Sequence, residues 1–182
     1  MENKYLNIHQ ELIDLCKTGN RKAQAEIYKL YYRPMFNTSL RIVNDKMEAE
    51  DIIQESFFAA FKKLNSYSGE VSFGAWLKRI VINRSLDFLK KRKINFEQLD
   101  SKLNKLPEST EEVEEEIINL EVEKVKKAIN QLADGYRIII SLYLLEGYDH
   151  DEIAEITGIT SASSRSQLVR AKRKVISLMN EM

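Results

Sequence analysis

The sequence is poor in the residues that make tight turns. It contains only 6 glycines and 2 prolines among 182 residues, too few for the many turns of an all-β sandwich or barrel. No segment alternates apolar and polar residues for long enough to predict a β-strand. Apolar residues recur instead at helical spacing, and they make up 43% of the chain, which is enough for a core. The sequence therefore predicts an all-α fold.

Cysteine and histidine are also scarce. The single cysteine, Cys16, cannot form an internal disulfide, and together with only two histidines it cannot build a metal site. A Ser-His or Cys-His hydrolase is disfavoured, because His9 lies in a terminal segment and His150 lies among carboxylates that begin a helix. We therefore expect no enzyme activity, no metal and no cofactor. Cys16 shares a helical face with Leu12, which favours a small buried apolar side chain over a redox sensor.

Long apolar runs are missing as well. The first ten residues, MENKYLNIHQ, lack the apolar core of a signal peptide, and no run of 18 apolar residues occurs in the sequence. We therefore expect a cytoplasmic protein that does not insert into a membrane.

Neither sign of charge is in excess, since 28 basic side chains balance 28 acidic ones. This balance argues against a protein that coats nucleic acid through a large basic excess. The net charge, however, averages three blocks of different charge. Residues 1–92 hold 16 basic and 11 acidic side chains, residues 93–123 hold 3 and 10, and residues 124–182 hold 9 and 7. The middle block also contains Pro107 and few aromatics. We predict two small helical domains, 1–92 and 124–182, joined by the acidic flexible linker 93–123.

The helices of the first block are indicated by caps and by apolar periodicity. Asp45 and Glu48 form a capping-box pair at the start of one helix. Pro34 lies inside the preceding helix and predicts a kink or a break there. The predicted helices span about 21–43, 46–64 and 72–92. The residues expected in the core stripes of the first two are Ile27, Leu30, Tyr31, Leu40, Ile53, Phe57, Phe61 and Leu64.

One stripe of the helix over 46–64 points away from its core side. It carries Asp51, Gln54, Glu55 and Phe58. The carboxylates lie near the positive N-terminal end of the helix, so local stabilisation explains them adequately. An exposed aromatic such as Phe58 is not explained in this way, and it favours a protein-binding surface.

The segment 62–92 is basic and rich in aromatics, with 8 basic and 2 acidic side chains. Such a pattern suits single-stranded or unstacked DNA, whose bases stack on aromatic rings while cations meet the phosphates. The alternative is that Phe73 and Trp76 are ordinary core residues, and we expect most of the surface area of both side chains to be buried. Tyr67 lies in a polar turn with less obvious core to join. The polar stripe of the helix carries Arg79, Asn83, Asp87 and Lys90.

The second block contains a predicted helix-turn-helix. A capping box at Asp149–Glu152 begins a short helix, the turn Thr157-Gly158-Ile159 follows, and Thr160 or Ser161 caps a last helix that runs to about Met179. Small hydroxyl residues at the start of that last helix allow a close approach to a major groove, where Arg165 or Gln167 reaches base edges. The basic run at 170–174 suits phosphates. A solvated basic surface at a helix C-terminus is the alternative.

Together these residues resemble the extracytoplasmic-function group of bacterial sigma factors, the smallest specificity subunits of RNA polymerase. The matching runs in the first block are DIIQESF at 51–57 and FGAWLKRIVINRSLD at 73–87. Those in the second block are Tyr136-Arg137, Glu152-Ile153-Ala154 and RSQLVRAK at 165–172. They cover both domains and most of the chain apart from the linker. Many members have Gly-Thr-Val where this chain has Ala162-Ser163-Ser164, so a polar residue replaces an apolar one at the third position.

The resemblance implies a non-catalytic transcription initiation factor that binds core RNA polymerase and promoter DNA, both duplex and melted strand. Tyr67 and Asn83 match residues that hold a base flipped out of the minus-ten element, at a cost of a few kcal/mol offset by contacts in the pocket. The acidic linker resembles a segment threaded through polymerase channels. An anti-sigma factor is a common further partner in the family.

Three sets of site residues are expected. The minus-ten set comprises Tyr67, Phe73, Trp76, Lys78, Arg79, Asn83 and Lys90. The minus-thirty-five set comprises Ser163, Ser164, Arg165, Ser166, Gln167, Arg170, Lys172 and Arg173. The polymerase-binding set comprises Asp51, Gln54, Glu55 and Phe58.

Two other functions remain open at the level of sequence. One is a plain helix-turn-helix transcriptional regulator with an N-terminal interaction domain. Such a regulator does not require the stripe at 51–58 together with Tyr67 and Asn83, so these residues discriminate between the two functions. A helical adaptor that binds a protein through Phe58 would show little or no salt-dependent DNA binding.

Overall fold

The computed structural model describes residues 7–92 and 118–182. Within these ranges the chain forms helices and turns without a strand, which confirms the all-α prediction. The chain divides into two compact units, Met1–Leu89 and Lys90–Met182. Most of the expected linker, with its acidic run at 111–116, lies outside the described residues, and the domain boundaries at 92 and 123 stay a prediction.

The first unit begins its helices at side-chain caps. Asn20 Oδ1 accepts hydrogen bonds from the backbone N–H groups of Lys22 and Ala23 at 3.0 and 3.1 Å. Asp45 Oδ1 accepts one from the Glu48 N–H at 3.1 Å, as the predicted cap requires. The helices are α1 (Gln10–Lys17), α2 (Arg21–Val43), α3 (Lys46–Lys63) and α4 (Phe73–Lys91), with a 3-10 turn at Leu64–Ser66.

Helix α2 continues through Pro34, so of the two predicted outcomes, a kink or a break, the break is wrong. The residues that follow the proline, Met35, Thr38 and Ser39, are buried, and this burial favours continuing the helix despite the lost backbone hydrogen bond. Thr38 Oγ1 also donates to the Pro34 carbonyl at 3.1 Å. The prediction that Leu30 is a core residue is wrong too, because its side chain is 42% exposed.

The core of the first unit gathers side chains from all four helices and the turn. Helix α4 approaches α2 closely at two small residues. A Cβ on Gly74 would lie 3.2 Å from the Tyr31 ring, and the buried hydroxyls of Ser39 and Ser85 lie 3.0 Å apart. Cys16 is 3% exposed, and burial raises the pKa of its thiol, which agrees with the predicted small apolar role.

The second unit contains α5 (Ile118–Gln131), α6 (Asp134–Ile140), α7 (His150–Thr157) and α8 (Ser161–Asn180), with a π-helical turn at Ser141–Leu145 that continues α6. Its core includes Ile138, Ile139, Leu142 and Ile153, all fully buried. No helix within 7–92 or 118–182 is long and apolar enough to cross a membrane.

Candidate nucleic-acid and partner surfaces

Helices α7 and α8 form the predicted helix-turn-helix. Asp149 accepts from the Glu152 N–H at 2.8 Å, and Glu152 Oε2 accepts from the Asp149 N–H at 2.9 Å, so both halves of the capping box are present. Gly158 ends α7 with φ of 80°, a left-handed conformation that glycine adopts without strain. Thr160 Oγ1 caps α8 by accepting from the Ser163 N–H at 3.0 Å.

Helix α8 presents one face to solvent and the other to the core. Arg165, Ser166, Lys172 and Arg173 are exposed, and Ser163 and Arg170 are half-buried. Their positions leave these side chains accessible to a ligand that approaches the outer face.

Two residues of the expected minus-thirty-five set lie on the inner face instead. Ser164 is 0% exposed and Gln167 is 2% exposed, so neither side chain can reach a base edge in this conformation. Both belong to the inward helical row that continues through Leu168, Ala171 and Val175. Burial therefore argues against Gln167 as a residue that reaches base edges and against Ser164 as part of the outer surface, and the apolar spacing of that row was the available signal. The DNA contacts of the set stay a prediction.

The buried Ser164 hydroxyl has a specific partner. It lies 2.9 Å from His150 Nδ1, at the first turn of α7, and the His150 ring stacks on Tyr143 with centroids 4.6 Å apart. The polar residue at this inward position is thus compensated by a histidine from the neighbouring helix. Sequence reasoning considered His150 only as a candidate metal ligand or catalytic base.

Sequence reasoning also passed over Val169. This side chain is 48% exposed and lies one turn after Arg165 on the outer face of α8. An exposed valine among cations on such a face suits contact with a thymine methyl group. Its place outside the inward apolar row was the available signal.

The loop before α4 is more buried than its polar sequence indicates. Tyr67 is 6% exposed and Phe73 is 1% exposed. Their rings pack edge to face with centroids 5.8 Å apart, and Tyr67 also packs on Trp76 at 5.3 Å. Tyr67 therefore joins the core of the first unit, which was not obvious from its polar turn. Neither Tyr67 nor Phe73 can stack on a base in this conformation, so both support the loop rather than form its outer surface.

The outer row of α4 does bring several expected residues together. Trp76, Asn83 and Lys90 are spaced by seven residues, which is about two helical turns, or roughly 10 Å for each step. Asn83 and Lys90 are exposed, and Trp76 is half-buried against Tyr67. The loop therefore lies at one end of the row that carries Asn83. Lys78 lies about 140° around the helix from Asn83 and does not share this row.

The stripe on α3 is exposed as predicted. Asp51, Gln54, Glu55 and Phe58 are all accessible, and Phe58 is 62% exposed. Lys62 Nζ lies 4.3 Å from the centroid of the Phe58 ring, a cation–π contact that leaves most of the aromatic surface open.

Two further contacts define this surface. Glu55 Oε2 accepts a hydrogen bond from Arg84 Nη1 at 2.8 Å, which joins α3 to α4, although an ion pair this exposed adds little stability. Met47 is 78% exposed and lies one turn before Asp51 on the same face. It extends the stripe, and sequence reasoning missed it. Across the described ranges, no group of three histidine, cysteine or carboxylate side chains is placed to hold a metal ion.

Two family models match the chain. Sigma-70 region 2 matches residues 27–94, and Sigma-70 region 4 matches residues 123–175. The chain is 28% identical to the ECF RNA polymerase sigma factor SigM of Bacillus subtilis over 156 residues, which covers 85% of this chain and 94% of that protein. It is 26% identical to the RNA polymerase sigma-H factor of Pseudomonas aeruginosa over 179 residues, or 91% of each chain.

Two solved structures share the fold. One is CnrH in complex with the cytosolic domain of CnrY, with a TM-score of 0.57 and 20% identity over 95% of this chain and 97% of that one. The other is the sigma factor RpoE in complex with the anti-sigma factor NepR from Bartonella quintana, with a TM-score of 0.58 and 22% identity over 86% and 96%.

Proposed function

The chain belongs to the extracytoplasmic-function sigma factors of the sigma-70 family, and we propose that its two units divide the recognition of a promoter between them. As a sigma factor it directs core RNA polymerase to promoters for transcription initiation. The observation that carries the proposed division is that each unit has its own exposed surface. These surfaces are the row on α4 with the stripe on α3, and the outer face of α8.

The first unit would engage the polymerase and the melted minus-ten strand. Phe58 offers an exposed aromatic surface beside the carboxylates of the α3 stripe, a combination that suits a protein partner. On α4, Asn83 can hydrogen-bond the edge of an unpaired base, and Arg79 and Lys90 can meet its phosphates. Trp76 and the buried pair Tyr67 and Phe73 would shape the loop beside that base.

The second unit would anchor on upstream duplex. Arg165 and Ser166 lie near the N-terminal end of α8, the part of a recognition helix that contacts base edges. Lys172 and Arg173 lie further along and would neutralise phosphates, with Arg170 beside them. Ser164 and Gln167 would hold α8 in place from inside rather than touch DNA.

The partners follow from this division. We propose core RNA polymerase and promoter DNA as the main ones, with an anti-sigma factor as a regulator, in line with the complex of the sigma factor RpoE with the anti-sigma factor NepR. The chain would act in the cytoplasm as a subunit of the initiating polymerase, without a catalytic group or cofactor of its own.

Run-off transcription tests the proposal directly. Genomic fragments are transcribed by core polymerase with and without the full-length protein, and specific start sites are expected only when the protein is present. If the protein stimulates transcription from none of the fragments, in a preparation free of inhibitors, the result would contradict a sigma-factor role. Salt-dependent binding of the protein alone to duplex DNA would then favour a helix-turn-helix regulator.

Replacing Asn83 with alanine is expected to weaken promoter opening about tenfold while leaving upstream duplex binding nearly unchanged. The reason is that one hydrogen-bonding side chain in the base pocket is lost, whereas the second unit is untouched. Asn83 is exposed, so alanine in the helix would not lower the stability of the protein. Permanganate reactivity of unpaired thymines measures opening, and anisotropy of a labelled upstream duplex measures binding.

Asp87→Ala is the matched control, since Asp87 is exposed one turn further along the same stripe. It is expected to leave opening unchanged. Equal losses of opening and of upstream binding in the Asn83 variant would contradict the proposed division between the two units.

A further inference from the structure

The turn that precedes α1 reaches across the first unit to the loop before α4. Asn7 Oδ1 accepts a hydrogen bond from the Phe73 N–H at 2.7 Å, and Asn7 Nδ2 donates to the Tyr67 hydroxyl at 3.0 Å. That hydroxyl donates in turn to the Val71 carbonyl at 2.5 Å. One asparagine side chain thus joins both ends of the loop 67–73, which lie 60 and 66 residues away in sequence.

These bonds are shielded from water. Asn7 is 7% exposed, Tyr67 is 6% exposed and Phe73 is 1% exposed. The Phe73 N–H is one of the first amide groups of α4, which have no partner inside the helix. Ser72 Oγ accepts from the Ala75 N–H at 3.2 Å, so Asn7 supplies a second cap from a distant part of the chain.

The same segment also packs on an aromatic ring of α2 that lies against the start of α4. His9 packs edge to face on Tyr31 with centroids 6.0 Å apart, and Tyr31 packs edge to face on Phe73 at 5.2 Å. Burial, and after it the neighbouring Tyr67, raises the pKa of Tyr31, as expected where phenol groups crowd together out of water. Asn7 therefore contacts the start of α4 directly, and His9 packs on Tyr31 of α2, the ring that covers Phe73.

We propose that Asn7 is a positioning residue for the loop 67–73, acting through Tyr67 and the Phe73 amide to hold this loop in the shape that captures an unpaired minus-ten base. This inference rests on the proposed function of the first unit. A loop that is ordered before it binds loses less conformational freedom on binding, so a residue that orders it strengthens capture without touching DNA. Asn7 lies outside residues 27–94, which match the region 2 model.

Asn7→Ala in the full-length protein tests the inference with two measurements. In the free protein, amide hydrogen exchange at Phe73 is expected to become at least about tenfold faster, because its acceptor is gone and the loop opens more readily. In the holoenzyme, binding to a fork-junction DNA with an unpaired minus-ten strand is expected to weaken about fivefold. The fork is taken from a promoter that the wild-type protein transcribes, and upstream duplex binding serves as an internal reference.

Asn20→Ala is the matched control. Asn20 caps α2 in the same unit, so its loss lowers the stability of that unit by removing a cap but leaves the loop 67–73 untouched. We expect unchanged fork binding and unchanged exchange at Phe73 relative to neighbouring amides.

A double-mutant cycle with Tyr67→Phe tests whether Asn7 acts through the Tyr67 hydroxyl. The double variant should lose less fork binding than the product of the two single-variant fold-losses, because both substitutions remove the same hydrogen bond. Faster exchange at Phe73 with unchanged fork binding would overturn the inference. Failure of the wild-type holoenzyme to bind the fork would overturn the proposed function of the first unit. The exchange measurement on the free protein does not depend on that binding, so the two failures can be told apart.

Discussion

Replacing Arg165 with alanine is expected to lower the preference of the holoenzyme for its upstream element by about tenfold to a hundredfold. Arg165 is exposed near the N-terminal end of α8, where a guanidinium can pair with two acceptors of one guanine. Such a bidentate contact discriminates between bases by about 1–3 kcal/mol. Competition between the native upstream duplex and variants with single base changes, measured by anisotropy, gives the preference directly.

Arg173→Ala provides the contrast, because Arg173 is also exposed but lies two turns further along α8. A side chain that meets only phosphate should weaken binding to every sequence alike and lower the salt slope by about one. Arg165→Ala should change the sequence preference instead. A uniform loss across all sequences in the Arg165 variant would contradict its role as a base-reading residue.

Much of the helical framework could be predicted because its signals are local. The caps at Asp45, Asp149 and Thr160 each act within three residues of sequence. The predicted stripe on α3 is exposed for the same reason, since its direction depends only on the period of one helix. Pro34 shows the limit of such signals, because burial of the residues that follow it decides that α2 continues.

The environment of the loop 67–73 could not be predicted, because it depends on contacts between distant residues. Tyr67 is buried by Trp76 and Phe73 and is hydrogen-bonded by Asn7. A polar turn with one aromatic gives no local sign of this arrangement. Predicting it would require knowing which residues pack together across the first unit.

The start of α8 combines a feature that the sequence predicts with one that depends on a contact between helices. The inward direction of Ser164 could be derived from its spacing to Leu168 and Ala171. Its partner His150 could not, because the bond crosses from α7 to α8. The departure from the family pattern at Ser164 is therefore explained by a compensating polar contact in the core, and Arg165 and Ser166 remain exposed on the outer face of α8.

Arg137→Met is expected to destabilise the second unit by about 3 kcal/mol. Arg137 is 3% exposed, its Nη1 donates to the Leu132 carbonyl at 2.9 Å, and its Nη2 pairs with Asp134 Oδ1. Methionine fills a similar volume but leaves the carbonyl without this donor and the carboxylate without its cation. Removing one partner of a buried ion pair typically costs about 3–5 kcal/mol, and the partial exposure of Asp134 places the expected loss at the lower end.

The single tryptophan of the chain allows the loss to be assigned to one unit. Trp76 lies in the first unit, so its fluorescence should follow the same urea transition in Arg137→Met as in the wild type. Far-UV circular dichroism, which reports both units, should show part of the helix lost at lower urea. The double variant Arg137→Met/Asp134→Ala should recover part of the stability, because it removes the carboxylate left without its cation. Identical dichroism transitions, or a shifted Trp76 transition, would contradict a buried structural role for Arg137 that is confined to the second unit.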